Sequence, residues 1–262
     1  MKILFNTYSN NTPYQNFKGK SNSLCPLMSA VESGFGNKIN FNKTPISEYI
    51  AHTNIKKIIS EDEYDRTLSL LKNDQTWRSM WSISAVSKFE QGILPYAGRE
   101  DRSVVINTYM RSKRIVDPRF TEGIIQEYIR VLDYALQEID KVYGSYNGIV
   151  YRVGMFDTEP KNYISTARDP EGLNALISSK EDYHQPFHII YTKHGHKIEE
   201  IQKKMWSFYT REREILLNPM TKYEEITTIT PEMEALKKNL RKSIYNDYGY
   251  VPELNTKFYK EI

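Results

Sequence analysis

The sequence predicts an α+β fold, with helices in the first half and mostly antiparallel strands in the second. Three observations carry this. A broad apolar stripe at helical spacing runs through Ile124, Ile125, Tyr128, Ile129, Leu132, Ala135, Leu136 and Ile139. After Gly144 the texture changes to short runs of β-branched and aromatic residues bounded by turn formers. The two textures are segregated along the chain instead of alternating, which disfavours a doubly wound parallel sheet.

Residues 1–45 are rich in Asn, Ser and Gly and are broken by Pro13, Pro26 and Pro45, so they read as a flexible or irregular extension. Residues 46–262 read as one domain, with helices to about residue 143 and a β core from about residue 147. Ser60 followed by Glu61, Asp62 and Glu63 marks a helix start, with Leu68, Leu70 and Leu71 on its apolar side. Trp77 to Gln91 reads as a second helix that stops near Gly92 and Pro95, and Ser103 to Arg111 as a third. The striped helix spans Thr121 to Ile139. The predicted strands are Gly148 to Val153, Tyr163 to Thr166, Phe187 to Thr192 and Arg213 to Leu217. Lys193-His194-Gly195 reads as a turn ending the third. Asn218-Pro219 reads as a hairpin turn, with Lys222 to Ile229 pairing back onto Arg213 to Leu217. A charged helix near Pro231 to Tyr245 and a last strand at Asn255 to Tyr259 complete the chain.

With 39% hydrophobic and 26% charged residues, the 262-residue chain has the balance of a soluble globular protein. A net charge of +3 without any long Lys/Arg block argues against nucleic acid as partner, and no run approaches ~18 apolar residues, so no membrane insertion is expected. The one cysteine, Cys25, excludes an intramolecular disulfide and lacks an identifiable His partner. The start, Met1 to Phe5, turns polar at Asn6 and lacks a secretory apolar region. Delivery into a target cell without a Sec signal is therefore the expectation, with a cytoplasmic protein as the alternative. No phosphate-binding glycine loop, dinucleotide glycine fingerprint or zinc-protease motif is present. His194 and His196 form an H-x-H in a glycine turn, which reads as an exposed turn and not a metal site; no metal is expected.

Three groups of residues stand out, each tied to a predicted strand: Arg152, then Ser165-Thr166, then Glu212-Arg213-Glu214. Singly each has a bland reading as a snorkelling Arg, a strand hydroxyl pair and an exposed charged strand start. Together they do not. Glu212 and Glu214 fall on one face of a strand if side chains alternate there, and two close carboxylates repel and couple their ionisation. That makes a poor structural device and a reasonable acid/base or electrostatic site.

In this order the residues resemble the R-S-E class of mono-ADP-ribosyltransferases, the arginine-specific toxin and effector type that includes clostridial binary-toxin catalytic domains and vertebrate ecto-enzymes. Gly92 to Arg111, with Ile106-Asn107-Thr108-Tyr109-Met110-Arg111, resembles the family's tyrosine turn and following helix. Glu214-Ile215-Leu216-Leu217 through Tyr223 resembles its catalytic hairpin. The likeness covers roughly residues 80 to 229. It departs at Ala167, where the family has a third hydroxyl, and at Val153, where the family has Gly directly after its Arg. An aromatic residue to stack on nicotinamide is not evident, since 168–186 supplies only Tyr183.

The resemblance implies a core of two packed, mostly antiparallel sheets with an NAD cleft, preceded by a helical portion. It implies NAD as co-substrate, bound by Arg152, Val153, Asn162, Ser165, Thr166, Asn107 and Arg111. Glu214 would stabilise the oxocarbenium-like ribose left when nicotinamide departs, with Ser165 orienting it. Glu212, two residues earlier, goes in this family with arginine as acceptor, so the implied partner is a host or target protein presenting an arginine. Tyr209 and Phe208 would contact that target, with Trp206 near them. An NAD glycohydrolase, a catalytically silent interaction domain on the same scaffold, and a nucleic-acid modifier are the alternatives, the last disfavoured by the modest charge and by Glu at position 212.

Overall fold

The computed structural model describes residues 59–73, 87–97, 102–177, 180–204, 211–248 and 254–262. The N-terminal extension with Cys25, most of the segment read as the second helix, and Trp206, Phe208 and Tyr209 lie outside the described residues.

The chain is α+β, as the sequence predicts. Among the described residues four helices come first: α1 (Glu61–Asn73), α2 (Lys88–Ala97), α3 (Arg102–Ser112) and α4 (Glu122–Tyr143). Their starts are written locally. Ser60 and Glu63 exchange bonds, Ser60 Oγ accepting from the Glu63 N–H at 3.2 Å and Glu63 Oε2 accepting from the Ser60 N–H at 2.9 Å. Ser87 and Glu90 repeat this reciprocal cap on α2. Thr121 caps α4, and Gly144, at a φ of 72°, ends it. Contrary to expectation, α2 does not stop at Gly92 and Pro95 but runs through both to Ala97. Pro95 lies within the last turn, so its missing N–H costs one bond near an end. Gly92 is where α2 meets its neighbours: a Cβ there would stand 2.5 Å from the Tyr64 hydroxyl and 3.0 Å from the Ala135 Cβ.

The strands are β1 (Tyr146–Val153), β2 (Ile164–Ala167), β3 (Phe187–Gly195), β4 (Glu214–Leu217), β5 (Tyr223–Glu225) and β6 (Thr256–Glu261). Between them lie α5 (Pro170–Leu176), α6 (Ile198–Gln202) and α7 (Pro231–Tyr248). The described strands form one hydrogen-bonded order, β4-β2-β1-β3-β6-β5, antiparallel except for β3 with β6. The expected two packed, mostly antiparallel layers are formed by one hydrogen-bonded six-stranded sheet that curls over on itself. β1 meets β2 only at Tyr151↔Ala167, while β1 and β3 pair along seven positions from Tyr146↔Gly195 to Val153↔Phe187. Val150, Ile164, Ile190, Ile215, Leu217, Tyr223 and Tyr259 are buried together, and every one is a strand residue. The sheet's own inner face therefore covers this cluster. A bridge between His196 and Leu216, with both N–H···O bonds at 2.9 Å, ties the end of β3 to β4 and closes the curl.

The outer face is covered by helices in two patches. Ile149, Tyr151, Phe187, Ile189 and Phe258 pack with Leu173 of α5 and Met233, Leu240 and Ile244 of α7. Tyr163 and Leu216 pack with α1 to α4 and with Ile198 and Ile201 of α6.

Two strand expectations are corrected. The segment after Asn218-Pro219 does not return to β4 as a hairpin: Tyr223 to Glu225 pairs with β6 at the far edge of the sheet. Tyr223 joins the inner cluster, and the Met220 N–H (φ 60°) and Tyr223 N–H bond to the carbonyls of Pro160 and Thr158, which carries the chain across. β3 also continues through the expected turn at 193–195. Glu261 Oε2 accepts from the Thr192 hydroxyl (2.8 Å) and the N–H groups of Lys193 (2.6 Å) and His194 (3.3 Å), and its other oxygen meets the His194 ring. His196 is not in an exposed turn. It is buried, with Nε2 donating to Asn218 Oδ1 at 2.7 Å and Nδ1 2.9 Å from Asp140. Among the described residues no group of three His, Cys, Asp or Glu side chains converges, and no helix is long and apolar enough to cross a membrane.

Candidate active site

The register of β2 against β4 builds the centre. Ala167 lies opposite Glu214 and Ser165 opposite Leu216, so Ser165, Ala167, Glu214 and Leu216 share the outer face. Ser165 and Glu214 are then diagonal neighbours, and Ser165 Oγ donates to Glu214 Oε1 at 2.6 Å. Thr166 points the other way. It is fully buried, and its hydroxyl donates to the Ile215 carbonyl at 2.6 Å, which ties β2 to β4.

Arg152 comes from the end of β1. Its Nη1 donates to the Ser165 carbonyl at 2.7 Å and its Nε to the Met155 carbonyl at 2.9 Å. One fork thus binds β2 and fixes the loop after β1, in which Gly154 takes a φ of 94°. Gly154 is held from both sides, its N–H bonding to the Pro186 carbonyl (3.0 Å) and its own carbonyl accepting from His188 Nε2 (2.7 Å). Burial pushes the His188 imidazole down to about 4, so it is neutral near pH 7. Burial also pulls the Arg152 guanidinium below its usual range, and Arg111 acts in the same direction. Val153, the last residue of β1, is half-buried opposite Phe187.

Glu214 is nearly fully buried, 5% exposed. Burial lifts its carboxyl to about 7, and the nearby charge of Glu212 adds to the rise. Bonds from Ser165 and Gln202 pull the other way, without cancelling it. Glu212 is raised as well, chiefly by burial. The pair is close, as the sequence implied, but not by strand alternation. β4 begins at Glu214; Glu212 lies in the preceding turn, and Arg213 between them takes a left-handed φ of 46°. That conformation is braced on both sides. Arg213 reaches Asp169 at 2.6 Å and Glu171 at 2.9 Å, and Asp169 also caps α5 by accepting from the Gly172 N–H at 2.9 Å. Gly172 lies so close that a Cβ there would be 2.6 Å from the Glu212 carbonyl oxygen.

The helical layer supplies further groups. Asn107 of α3 donates to the Tyr96 hydroxyl of α2 at 2.9 Å. Burial raises the Tyr96 hydroxyl, then the charge of Glu214 raises it further, with Arg152 and Arg111 opposing. These four groups are therefore close enough to share one electrostatic environment. Arg111 is exposed at the end of α3, its Nε donating to the Asn107 carbonyl at 3.3 Å. Asn162 is buried and donates to the Tyr163 carbonyl at 2.6 Å. Of the residues singled out from the sequence, Arg152, Ser165, Glu212 and Glu214 are drawn together, Asn107 and Arg111 lie at the helical edge, and Thr166 turns away.

Sequence reasoning missed Gln202. It is fully buried on α6, and its Nε2 donates to Glu214 Oε2 at 2.8 Å and lies 3.4 Å from Glu212 Oε2. Within Ile198-Glu199-Glu200-Ile201-Gln202 nothing marks it apart from an ordinary polar helix face. His188 was missed for the same reason, lying inside an apolar strand. Chemically the arrangement offers a buried, oriented carboxylate, a second carboxylate beside it and a planar cation on the adjoining strand.

The sequence matches no family model and no curated protein. Among solved structures the chain is similar to the type III effector XopAI from Xanthomonas axonopodis pv. citri, at 11% identity and a TM-score of 0.47 over 83% of this chain and 91% of that one. It is similar to the ADP-ribosyltransferase HopU1 of Pseudomonas syringae pv. Tomato DC3000, at 12% identity and a TM-score of 0.47 over 79% and 99%. It is also similar to the ADP-ribosyltransferase Vis, solved in complex with agmatine, at 15% identity and a TM-score of 0.41 over 79% and 88%. Likenesses this distant leave the chemistry of the site to be argued from its own side chains.

Proposed function

We propose that this protein cleaves NAD at the nicotinamide–ribose bond and transfers ADP-ribose to an arginine side chain of a target protein. The observation that carries the reading is the buried Glu214 carboxylate, held by Ser165 at 2.6 Å and Gln202 at 2.8 Å on the strand pair that Arg152 clamps. A stabiliser of a ribosyl cation must be fixed and shielded from water, which these contacts and burial supply, and anionic, which Glu214 becomes as pH rises through about 7. Nicotinamide leaves with the electron pair of the broken C–N bond, and the positive charge that develops on the ribose faces Glu214. The Arg152 N–H groups not given to the Ser165 and Met155 carbonyls, those of Nη2 and the second of Nη1, suit the pyrophosphate of NAD. Val153, Asn162, Ser165, Asn107 and Arg111 complete the NAD surface in this reading; Thr166, whose hydroxyl is satisfied by Ile215, supports the strand pair.

Glu212 is the acceptor's partner. An arginine guanidinium is too basic to attack while protonated, and a carboxylate whose own proton affinity is raised by burial is suited to take the proton. The nucleophilic nitrogen then forms the new C–N bond to the ribose as the cation collapses. Phe208 and Tyr209, in the segment just before Glu212, would contact the target protein.

The test uses labelled NAD with agmatine, a small guanidine that mimics an arginine side chain. Wild type is expected to transfer label to agmatine. Glu212→Gln is expected to lose at least ~100-fold in transfer, the scale on which a general base contributes, while still releasing nicotinamide. Nicotinamide release without any transfer, to agmatine or to proteins of a cell lysate, would make the protein an NAD glycohydrolase. Equal loss of both activities in a folded Glu212→Gln variant would remove Glu212 from the acceptor role.

A further inference from the structure

Gln202 occupies a place that stability alone does not explain. It is fully buried, yet among the described residues its amide oxygen accepts nothing, so half of a strongly polar group is left unsatisfied. Its N–H side faces two carboxylates, Glu214 Oε2 at 2.8 Å and Glu212 Oε2 at 3.4 Å. The orientation is dictated by charge, since the amide oxygen turned toward either carboxylate would repel it.

The helix that carries Gln202 is fastened to the site on several sides. Ile198 and Ile201 sink into the helical core. Glu199 pairs at 2.5 Å with Arg168, the residue that follows β2. His196, just before the helix, bridges to Leu216 of β4. A five-residue helix with nearly every side chain buried is thus held against both strands that carry Ser165 and Glu214.

We propose that Gln202 is a positioning residue: its amide spans Glu214 and Glu212, keeps the two carboxylates apart, favours the charged form of Glu214 and fixes its orientation. This deepens the reading of Glu214 as the group that stabilises the ribosyl cation, and rests on it. The other charged or titratable groups around Glu214 are Glu212 from the preceding turn, Tyr96 from α2 and Arg152 from β1. Arg168 and Glu199 are paired with each other, and Arg213 is turned to Asp169 and Glu171. Gln202 is therefore the neutral donor that lets two buried carboxylates coexist, with Ser165 serving Glu214 alone.

The test compares wild type, Gln202→Met and Gln202→Glu by nicotinamide release from NAD between pH 5.5 and 9.5, with KM and kcat separated and thermal melts in parallel. Methionine keeps the length of the side chain and removes the donor. Losing a bond to the charged form moves the acidic limb of kcat up by about one pH unit. Activity at pH 7 is then expected to fall roughly fivefold and to recover toward pH 9, with KM for NAD changed by less than about twofold. Glutamate is isosteric and donates to Glu214 only while it is itself protonated, so Gln202→Glu is expected to lose activity as pH rises, the opposite signature. Opposed pH shifts support the proposal; a purely structural role would lower activity by one factor at every pH. An active wild type whose variants keep its profile would overturn the role of Gln202 alone. A folded wild type that releases no nicotinamide would overturn the reading of Glu214 beneath it. If Gln202→Met does not melt as the wild type does, Gln202→Glu decides, through the direction of its pH dependence.

Discussion

Replacing Glu214 with Gln is expected to make the protein more stable above neutral pH while abolishing its proposed activity. The free carboxyl titrates near 4.5, and in the folded chain burial moves it to about 7. Between those values the native state holds a proton that the unfolded chain has released, so the stability linked to this group is complete below about 4.5 and is lost as pH rises through about 7. The gap corresponds to ~3 kcal/mol against the charged form. Because Glu214 is 5% exposed, little of this is screened by solvent. Glutamine has the same shape without the charge. Its oxygen can accept from Gln202 and its NH₂ can donate to Ser165, whose hydroxyl accepts as readily as it donates. The variant should therefore match wild type near pH 4.5 and exceed it by ~2–3 kcal/mol at pH 8. For a chain of this size that is a rise in Tm of roughly 4–12 °C. Urea unfolding at several pH values, with the slope checked for constancy, measures the difference directly. A difference that does not change with pH, or a variant less stable than wild type at pH 8, would refute the claim that Glu214 is held charged against its surroundings.

Two further outcomes follow from the same geometry. Arg152→Lys keeps the charge but cannot bond both the Ser165 and Met155 carbonyls as a planar fork, so KM for NAD is expected to rise ~10–100-fold with the fold intact, measured by steady-state nicotinamide release. In Gly172→Ala the added methyl would meet the Glu212 carbonyl oxygen at 2.6 Å and force α5 or the 211–213 turn to shift. The expected cost is ~1–3 kcal/mol in urea unfolding, with transfer to agmatine reduced more than NAD cleavage, because Glu212 moves most.

The sequence carried the features that depend on local chemistry. The reciprocal cap at Ser60/Glu63, the one-sided cap at Thr121, the apolar stripe of α4 and the β-branched and aromatic run of β1 are written in neighbouring residues, and each element formed within a few residues of its expected place. The meeting of Arg152, Ser165 and Glu214 could be anticipated only because three strands bore them in a fixed order. What failed depends on distant partners. Alternation suggests a hairpin return strand at Tyr223 because it tells which face a residue takes and not which strand it meets; the partner, Glu261, lies 38 positions away. The stretch at 193–195 looks like a turn until Glu261 supplies its N–H groups with an acceptor. Glu212 and Glu214 came together for a different reason than alternation, through the left-handed Arg213 pinned by Asp169 and Glu171. Gln202 left no local mark, since its role exists only once α6 is folded against β4.

The most direct test of the central claim is the rate of free nicotinamide formation from NAD, wild type beside Glu214→Gln, each shown to be folded by its thermal melt. Steady release by wild type and a loss of at least ~100-fold in the variant are expected, the scale on which a preorganised electrostatic group contributes. Equal rates in the two proteins, or no release by a folded wild type with or without a guanidine acceptor, would contradict it.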